Sequence, residues 1–172
     1  MNSKQIECIL SCALHDTRTM FLGVFPADRV PDDITSFPSA FVVNTDKADM
    51  PGEHWVACYM SAPSRLEFFD SYGMPPSMYP NITLPCSATH VSNVNLQGFG
   101  SRVCGHYCIL FVCLRSSGRS FKDACKFAKV LPSTSRDRCV GRFVSSLRQV
   151  LRICLPCRAA CRDAQCCRKR RR

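Results

Sequence analysis

The chain has no apolar run long enough to cross a bilayer. Its longest, Tyr107 to Leu114, falls far short of the roughly 18 to 20 residues that a spanning helix needs, so no membrane role is expected. Met1 to Leu14 lacks the basic start, sustained apolar segment and small-residue cleavage site of a secretory leader, so secretion is not expected either. The fourteen cysteines should then remain mostly thiols instead of forming a disulfide scaffold. There is no internal repeat, which argues against a solenoid. Acid is scarce, with 13 Asp and Glu against 23 Lys and Arg.

At 172 residues and 46% hydrophobic content the chain can bury one substantial core, and a single domain over residues 1–153 is expected. The excess of base is concentrated beyond it. Residues 152–172 carry eight bases against the single acid Asp163, +7 of a total of +10. Such a run attracts polyanions, so DNA is the expected partner of this end, and Arg168 to Arg172 also reads as a nuclear import signal. Cys154 and Cys157 have metal-ligand spacing, and Cys161 with Cys166 or Cys167 could complete a four-thiolate set. A second C-x-x-C is missing and the segment offers little scaffold, so residues 154–172 are read as a disordered, Cys-rich basic tail with no metal.

Along the chain, Ile6, Ile9, Leu10, Ala13 and Leu14 recur at helical spacing and predict an amphipathic helix over Ser3 to Leu14. Pro26, Pro31 and Pro38 mark Phe21 to Pro38 as a loop. Ser39 to Asn44, Trp55 to Met60 and Leu66 to Asp70 read as strands, rich in β-branched, aromatic and apolar residues and bounded by Pro, Gly or Asp. Met74 to Pro85, with four prolines, should be irregular, and His90 to Val94 is a further candidate strand. Cys104 to Arg115 is apolar on every side and predicts a helix in the middle of the fold. Helices over Phe121 to Leu131 and Asp137 to Ile153 follow, separated by Pro132 to Ser135, with Leu155 and Pro156 ending the domain.

Four polar residues carry the candidate chemistry: His54 in Gly52-Glu53-His54-Trp55, Asp70 in Phe69-Asp70-Ser71-Tyr72-Gly73, Gln97, and Cys104 in Val103-Cys104-Gly105. They supply a general base, an acid to orient it, an amide donor for an oxyanion and a thiol nucleophile, the parts that acyl transfer by a cysteine enzyme requires. A cysteine at a helix N-terminus beside an imidazole is ionised well below the usual thiol range. Asp70 would hold one tautomer of His54, and Gly98 and Gly100 would let the backbone approach a substrate carbonyl. Taken singly, each residue also has a plain structural role open to it: a surface or core histidine, a small buried thiol, a turn-forming aspartate, a loop amide. His15, His90 and His106 are the competing histidines.

Across roughly Phe21 to Val144 the chain resembles the adenovirus endopeptidase family, cysteine proteases of the clan that contains the SUMO-specific proteases. The resemblance rests on Phe21-Leu22-Gly23, Val43-Asn44-Thr45, Gly52-Glu53-His54-Trp55-Val56-Ala57, Phe69-Asp70-Ser71-Tyr72-Gly73, and Gln97 followed by Cys104-Gly105-His106-Tyr107-Cys108. Gln97 precedes Cys104 by seven positions and Cys108 follows it by four, as in the viral enzymes. Asp70 stands where those enzymes commonly have glutamate, a substitution shared with the SUMO-protease branch.

The resemblance implies an α+β fold: a central mixed sheet flanked by helices, with the nucleophile at the N-terminus of a buried core helix and the histidine and acid on strands. It implies cleavage of viral precursor proteins after small residues such as glycine during particle maturation, in the host nucleus and the virion, by a monomer needing no cofactor for the chemistry. Trp55 would wall a narrow groove or anchor the core. It also implies stimulation by DNA and by a short peptide disulfide-linked to Cys86, eleven positions before Gln97. An isopeptidase acting on ubiquitin-like proteins and a non-enzymatic DNA-binding particle protein are the other functions left open.

Overall fold

The computed structural model describes residues 1–127 and 129–154. The basic run and Cys157, Cys161, Cys166 and Cys167 lie outside the described residues. Among those described, five strands form one mixed sheet in the order β1-β2-β3-β4-β5, accompanied by four helices, so the chain is α+β.

Strands β2 (Ser39–Asn44), β3 (Trp55–Ala62) and β4 (Arg65–Phe69) fall where the apolar runs predict, and each pairs antiparallel with the next. They are the buried centre. The flanks are β1 (Met20–Phe25), parallel to β2, and β5 (Ala88–Val91), parallel to β4. Strand β1 corrects the expectation of a loop from Phe21. It stops just before Pro26, and as an edge strand it needs partners on one side only, so the prolines that follow do not prevent it. Strand β5 begins two residues before the predicted segment and ends at Val91, because Ser92 turns aside to bond the chain around Asp70.

Alternation across the strands sorts the core into two layers. Ala40, Val42, Ala57, Tyr59 and Phe69 point to the helices, and Phe41, Val43, Val56, Cys58, Leu66 and Phe68 point away. The helices share the first layer. The second is covered by irregular chain through Val30, Ile34, Phe37, Tyr79, Ile82 and Leu84, so the helices that flank the sheet lie on one of its faces. The two Pro-rich segments cannot form long helices, yet their apolar side chains close that face.

Helix α1 (Ser3–Ala13) opens with a reciprocal cap in which Asn2 Oδ1 accepts from the Gln5 amide at 3.0 Å and Gln5 Oε1 accepts from the Asn2 amide at 3.2 Å. Helix α2 (Cys104–Ser116) is buried over most of its circumference, as its unbroken apolar sequence requires. It packs against β3 and between α1 and α4. A Cβ at Gly105 would come within 3.0 Å of Ile6 Cδ1 and 3.4 Å of Trp55 Cδ1, so glycine there lets the start of α2 approach both α1 and β3. Helix α3 is shorter than predicted, Phe121–Cys125, and α4 longer, Ser133–Cys154. Pro132 opens α4 instead of separating it from α3: its carbonyl accepts the Arg136 amide at 3.0 Å, and a helix start has no use for the N–H that proline lacks.

Candidate active site

The antiparallel register that pairs Ala57 with Phe69 brings the residue before β3 beside the residue after β4. Those residues are His54 and Asp70. His54 Nε2 donates to Asp70 Oδ1 at 2.6 Å, which leaves Nδ1 for the thiol. Asp70 is fully buried and a buried carboxylate must be satisfied. Its oxygens also accept from the Tyr72 amide at 3.1 Å, the Met74 amide at 2.9 Å and the Tyr79 hydroxyl at 2.9 Å. Burial alone would raise its pKa, but His54 and these donors hold the carboxyl below its usual range.

The imidazole lies against two phenol rings, Tyr72 at 5.1 Å and Tyr79 at 5.9 Å between centroids, both stacked. Burial disfavours the imidazolium, but the hydrogen bonds and negative charges of Asp70 and Cys104 prevail and push its pKa up to about 9. Cys104 is the first residue of α2, no side chain caps that helix end, and the Gly105 amide donates a hydrogen bond to the Cys104 sulfur. Burial raises the thiol, yet the neighbouring imidazole and the N–H groups of Trp55 and Gly105 outweigh it, and Cys104 falls below the ordinary thiol range.

Other buried cysteines go the opposite way. Cys113 and Cys125 are pushed up to about 12 by burial, and burial raises Cys58 and Cys108 as well. Cys108, one turn after Cys104, donates its S–H to the Trp55 carbonyl at 3.3 Å, which makes it a packing residue. The site therefore singles out one thiol by its surroundings, not by its residue type.

Gln97 reaches the site because the chain leaving β5 bonds the turn after β4: the Leu96 and Gln97 amides both donate to the Ser71 carbonyl, at 2.8 and 3.0 Å. Its side chain is 2% exposed and is held on three sides, by Ser71 Oγ, Tyr72 Oη and the Ser101 carbonyl. From α4, Arg136 Nε donates to the Leu96 carbonyl at 2.8 Å, while Asp137 accepts from the Gly98 amide at 3.1 Å and from the Tyr107 hydroxyl at 2.8 Å. Sequence reasoning did not find Ser71, Tyr72, Tyr79, Arg136 or Asp137. Of these, only Ser71 and Tyr72 had a signal, their place beside Asp70.

Trp55 is partly buried, and its indole N–H donates to the Met1 carbonyl at 3.3 Å, so the start of the chain lies against it. Cys86 is half-buried ahead of β5, packed against the layer of the sheet that faces away from the helices. The competing histidines are engaged elsewhere. His15 pairs with Asp16, His90 lies beside Phe121, and His106 is a half-buried residue of α2 whose pKa burial lowers.

Among the described residues no cluster of His, Cys, Asp and Glu could hold a metal ion, and no helix is long and apolar enough to cross a membrane. Models of known protein families and curated protein sequences give no match to this chain.

Proposed function

We propose that this protein is a cysteine endopeptidase that cleaves after small residues such as glycine. The observation that carries the reading is the chain of contacts from Asp70 through His54 to Cys104, which lowers the pKa of that thiol while burial raises those of Cys58, Cys108, Cys113 and Cys125. A lowered thiol pKa beside a raised imidazole pKa favours the thiolate and imidazolium pair over the neutral thiol and imidazole.

The Cys104 thiolate attacks the scissile carbonyl carbon. A carbon–sulfur bond forms and the carbonyl electron pair moves onto oxygen, where the first amides of α2 meet the charge. Collapse of this intermediate breaks the carbon–nitrogen bond, and the proton held on His54 Nδ1 goes to the leaving amine. The neutral imidazole then takes a proton from water, whose hydroxide attacks the thioester. The acid product departs and the thiolate and imidazolium are restored. Asp70 stays ionised throughout, orienting the ring and stabilising its charge.

Precursor proteins of a viral or transposon particle are the proposed substrates. DNA bound by the basic tail and a peptide linked to Cys86 are the proposed activators, and the nucleus and the particle the proposed sites of action. These rest on the resemblance to the adenoviral enzymes. The test is turnover of a fluorogenic peptide with glycine before the scissile bond, by the parent and by Cys104→Ala, with and without DNA and reductant. Cleavage that depends on Cys104 is expected. Equal rates for the two proteins would overturn the reading, and preferential release of a ubiquitin-like reporter would place the activity among isopeptidases.

A further inference from the structure

Acyl transfer as proposed above, on which this inference rests, needs a donor that meets the developing oxyanion. We propose that the Tyr72 hydroxyl, with Gln97 acting through it, is the side-chain donor to the developing oxyanion.

The orientation of the Gln97 amide is fixed by its neighbours. The Ser101 carbonyl, 2.7 Å away, can only accept, so the amide nitrogen must face it. The amide oxygen accepts from Ser71 Oγ at 2.8 Å. The remaining amide proton is donated to Tyr72 Oη at 3.0 Å. Both protons of Gln97 are thus committed inside the protein, and its side chain has almost no exposed surface from which to reach a substrate.

Tyr72 has what Gln97 lacks. Its oxygen accepts from Gln97, while its own O–H has no acceptor among the described residues. Accepting one hydrogen bond polarises a hydroxyl and strengthens the bond that it donates. Tyr72 is only partly buried, and its ring stacks on the His54 imidazole, which keeps it over the catalytic cluster. Burial, with the negative charge of Cys104, Asp70 and Asp137 nearby, raises its pKa, so the phenol retains its proton through the reaction. No proton is transferred in this role. The hydroxyl donates a hydrogen bond that strengthens as charge builds on the carbonyl oxygen and relaxes when the carbonyl re-forms.

The test is Tyr72→Phe, which removes the oxygen and keeps the ring against His54. With the glycine peptide, kcat should fall on the order of 10²-fold, the usual loss for one oxyanion donor, with KM little changed. A peptide aldehyde, which forms a tetrahedral adduct, should bind more weakly by a similar factor. Alkylation of Cys104 by iodoacetamide, which creates no oxyanion, should keep its parental rate and so report an intact thiolate–imidazolium pair in a folded protein. Adding Gln97→Ala to Tyr72→Phe should cost little more than the first change alone. A Tyr72→Phe protein that cleaves as fast as the parent, or faster because a plug has been removed, would overturn the donor role and leave the protease reading standing. Slowed alkylation would overturn it too, by showing that Tyr72 acts on the Cys104–His54 pair. A parent with no Cys104-dependent cleavage would overturn the acyl-transfer reading and this donor with it.

Discussion

His54 and Asp70 stand sixteen residues apart in sequence and 2.6 Å apart in space, held there by the β3–β4 pairing and joined by a hydrogen bond from which most water is excluded. The pair, together with Cys104, sets the expected pH profile of the chemistry. Because the Cys104 thiol is lowered and His54 is raised to about 9, Cys104-specific alkylation by iodoacetamide should be well developed below the ordinary thiol midpoint near pH 8.5. Peptide cleavage should then decline as pH rises through about 9, where the imidazole loses the proton that the leaving amine needs. Rates measured from pH 5 to 10, with Cys104→Ala subtracted, check both limbs, and an alkylation midpoint at 8.5 or above would remove the ion pair.

Stability should follow the same groups with a definite sign. His54 has a folded pKa above its unfolded value, so its contribution is complete below about pH 6.5 and is lost as pH rises through about 9. Asp70 has a lowered folded pKa, so its contribution is present above about pH 3.9 and is lost as pH falls through the folded value. The Tm advantage of the parent over His54→Gln should therefore be largest near pH 5 to 6 and shrink towards pH 9. A constant difference across that range would contradict the raised histidine.

A second buried ion pair ties the core helix to the sheet. Arg115 near the end of α2 grips Glu67 of β4 with two hydrogen bonds, at 2.6 and 2.8 Å, and lies 4.6 Å over the Tyr59 ring. Removing one partner strands the other charge in the core, so Glu67→Ala or Arg115→Ala should each lower unfolding free energy by about 3 to 5 kcal/mol. The joint replacement Glu67→Leu with Arg115→Met should recover most of that loss. Chemical denaturation of the four proteins measures the coupling.

Asp137 connects α4 to the loop that presents the nucleophile. Asp137→Ala deprives Tyr107 and the Gly98 amide of their shared acceptor and should destabilise by about 1.5 to 3 kcal/mol, as expected for hydrogen bonds to a charged group. With the loop loosened, kcat should fall more than tenfold, on the principle that small misplacements are costly, while the alkylation rate of Cys104 is nearly unchanged. Equal losses in both rates would place the effect on the thiol itself.

Gly73 and Gly100 make a matched comparison, since both have φ +75°. A Cβ at Gly73 would lie 2.9 Å from the Val94 backbone, whereas at Gly100 it meets nothing within 4 Å. Gly100→Ala should cost only the left-handed backbone, about 1 to 2 kcal/mol. Gly73→Ala should cost more and should also lower kcat, because the turn that it would displace carries Asp70. Thermal melts and turnover of the two variants check the order.

The central strands β2, β3 and β4 and the core helix α2 were legible because their signals are local: short apolar runs between turn residues, and an apolar segment with no polar face. Strand β1 was not legible, since its partner β2 lies across a Pro-rich segment whose composition dominated the reading. The start of α4 was misread for a related reason, as proline both ends helices and begins them and only the bond from Arg136 to Pro132 decides which.

Residue chemistry and order in the chain determined which groups could make a site here: a histidine before one strand, an aspartate after another, and a cysteine opening an apolar helix. Tertiary structure alone decided how they are wired. Gln97 and Tyr72 are 25 residues apart, Gly98 and Asp137 are 39, and Glu67 and Arg115 are 48. Contacts over such separations leave no periodic trace in a single sequence, because each is fixed by where the sheet and helices place their ends. The same holds for the thiols. Cys104 and Cys108 are one residue type one turn apart: the fold sets an imidazole and two amides beside the first sulfur, which lower it, and buries the second near negative charge, which raises it.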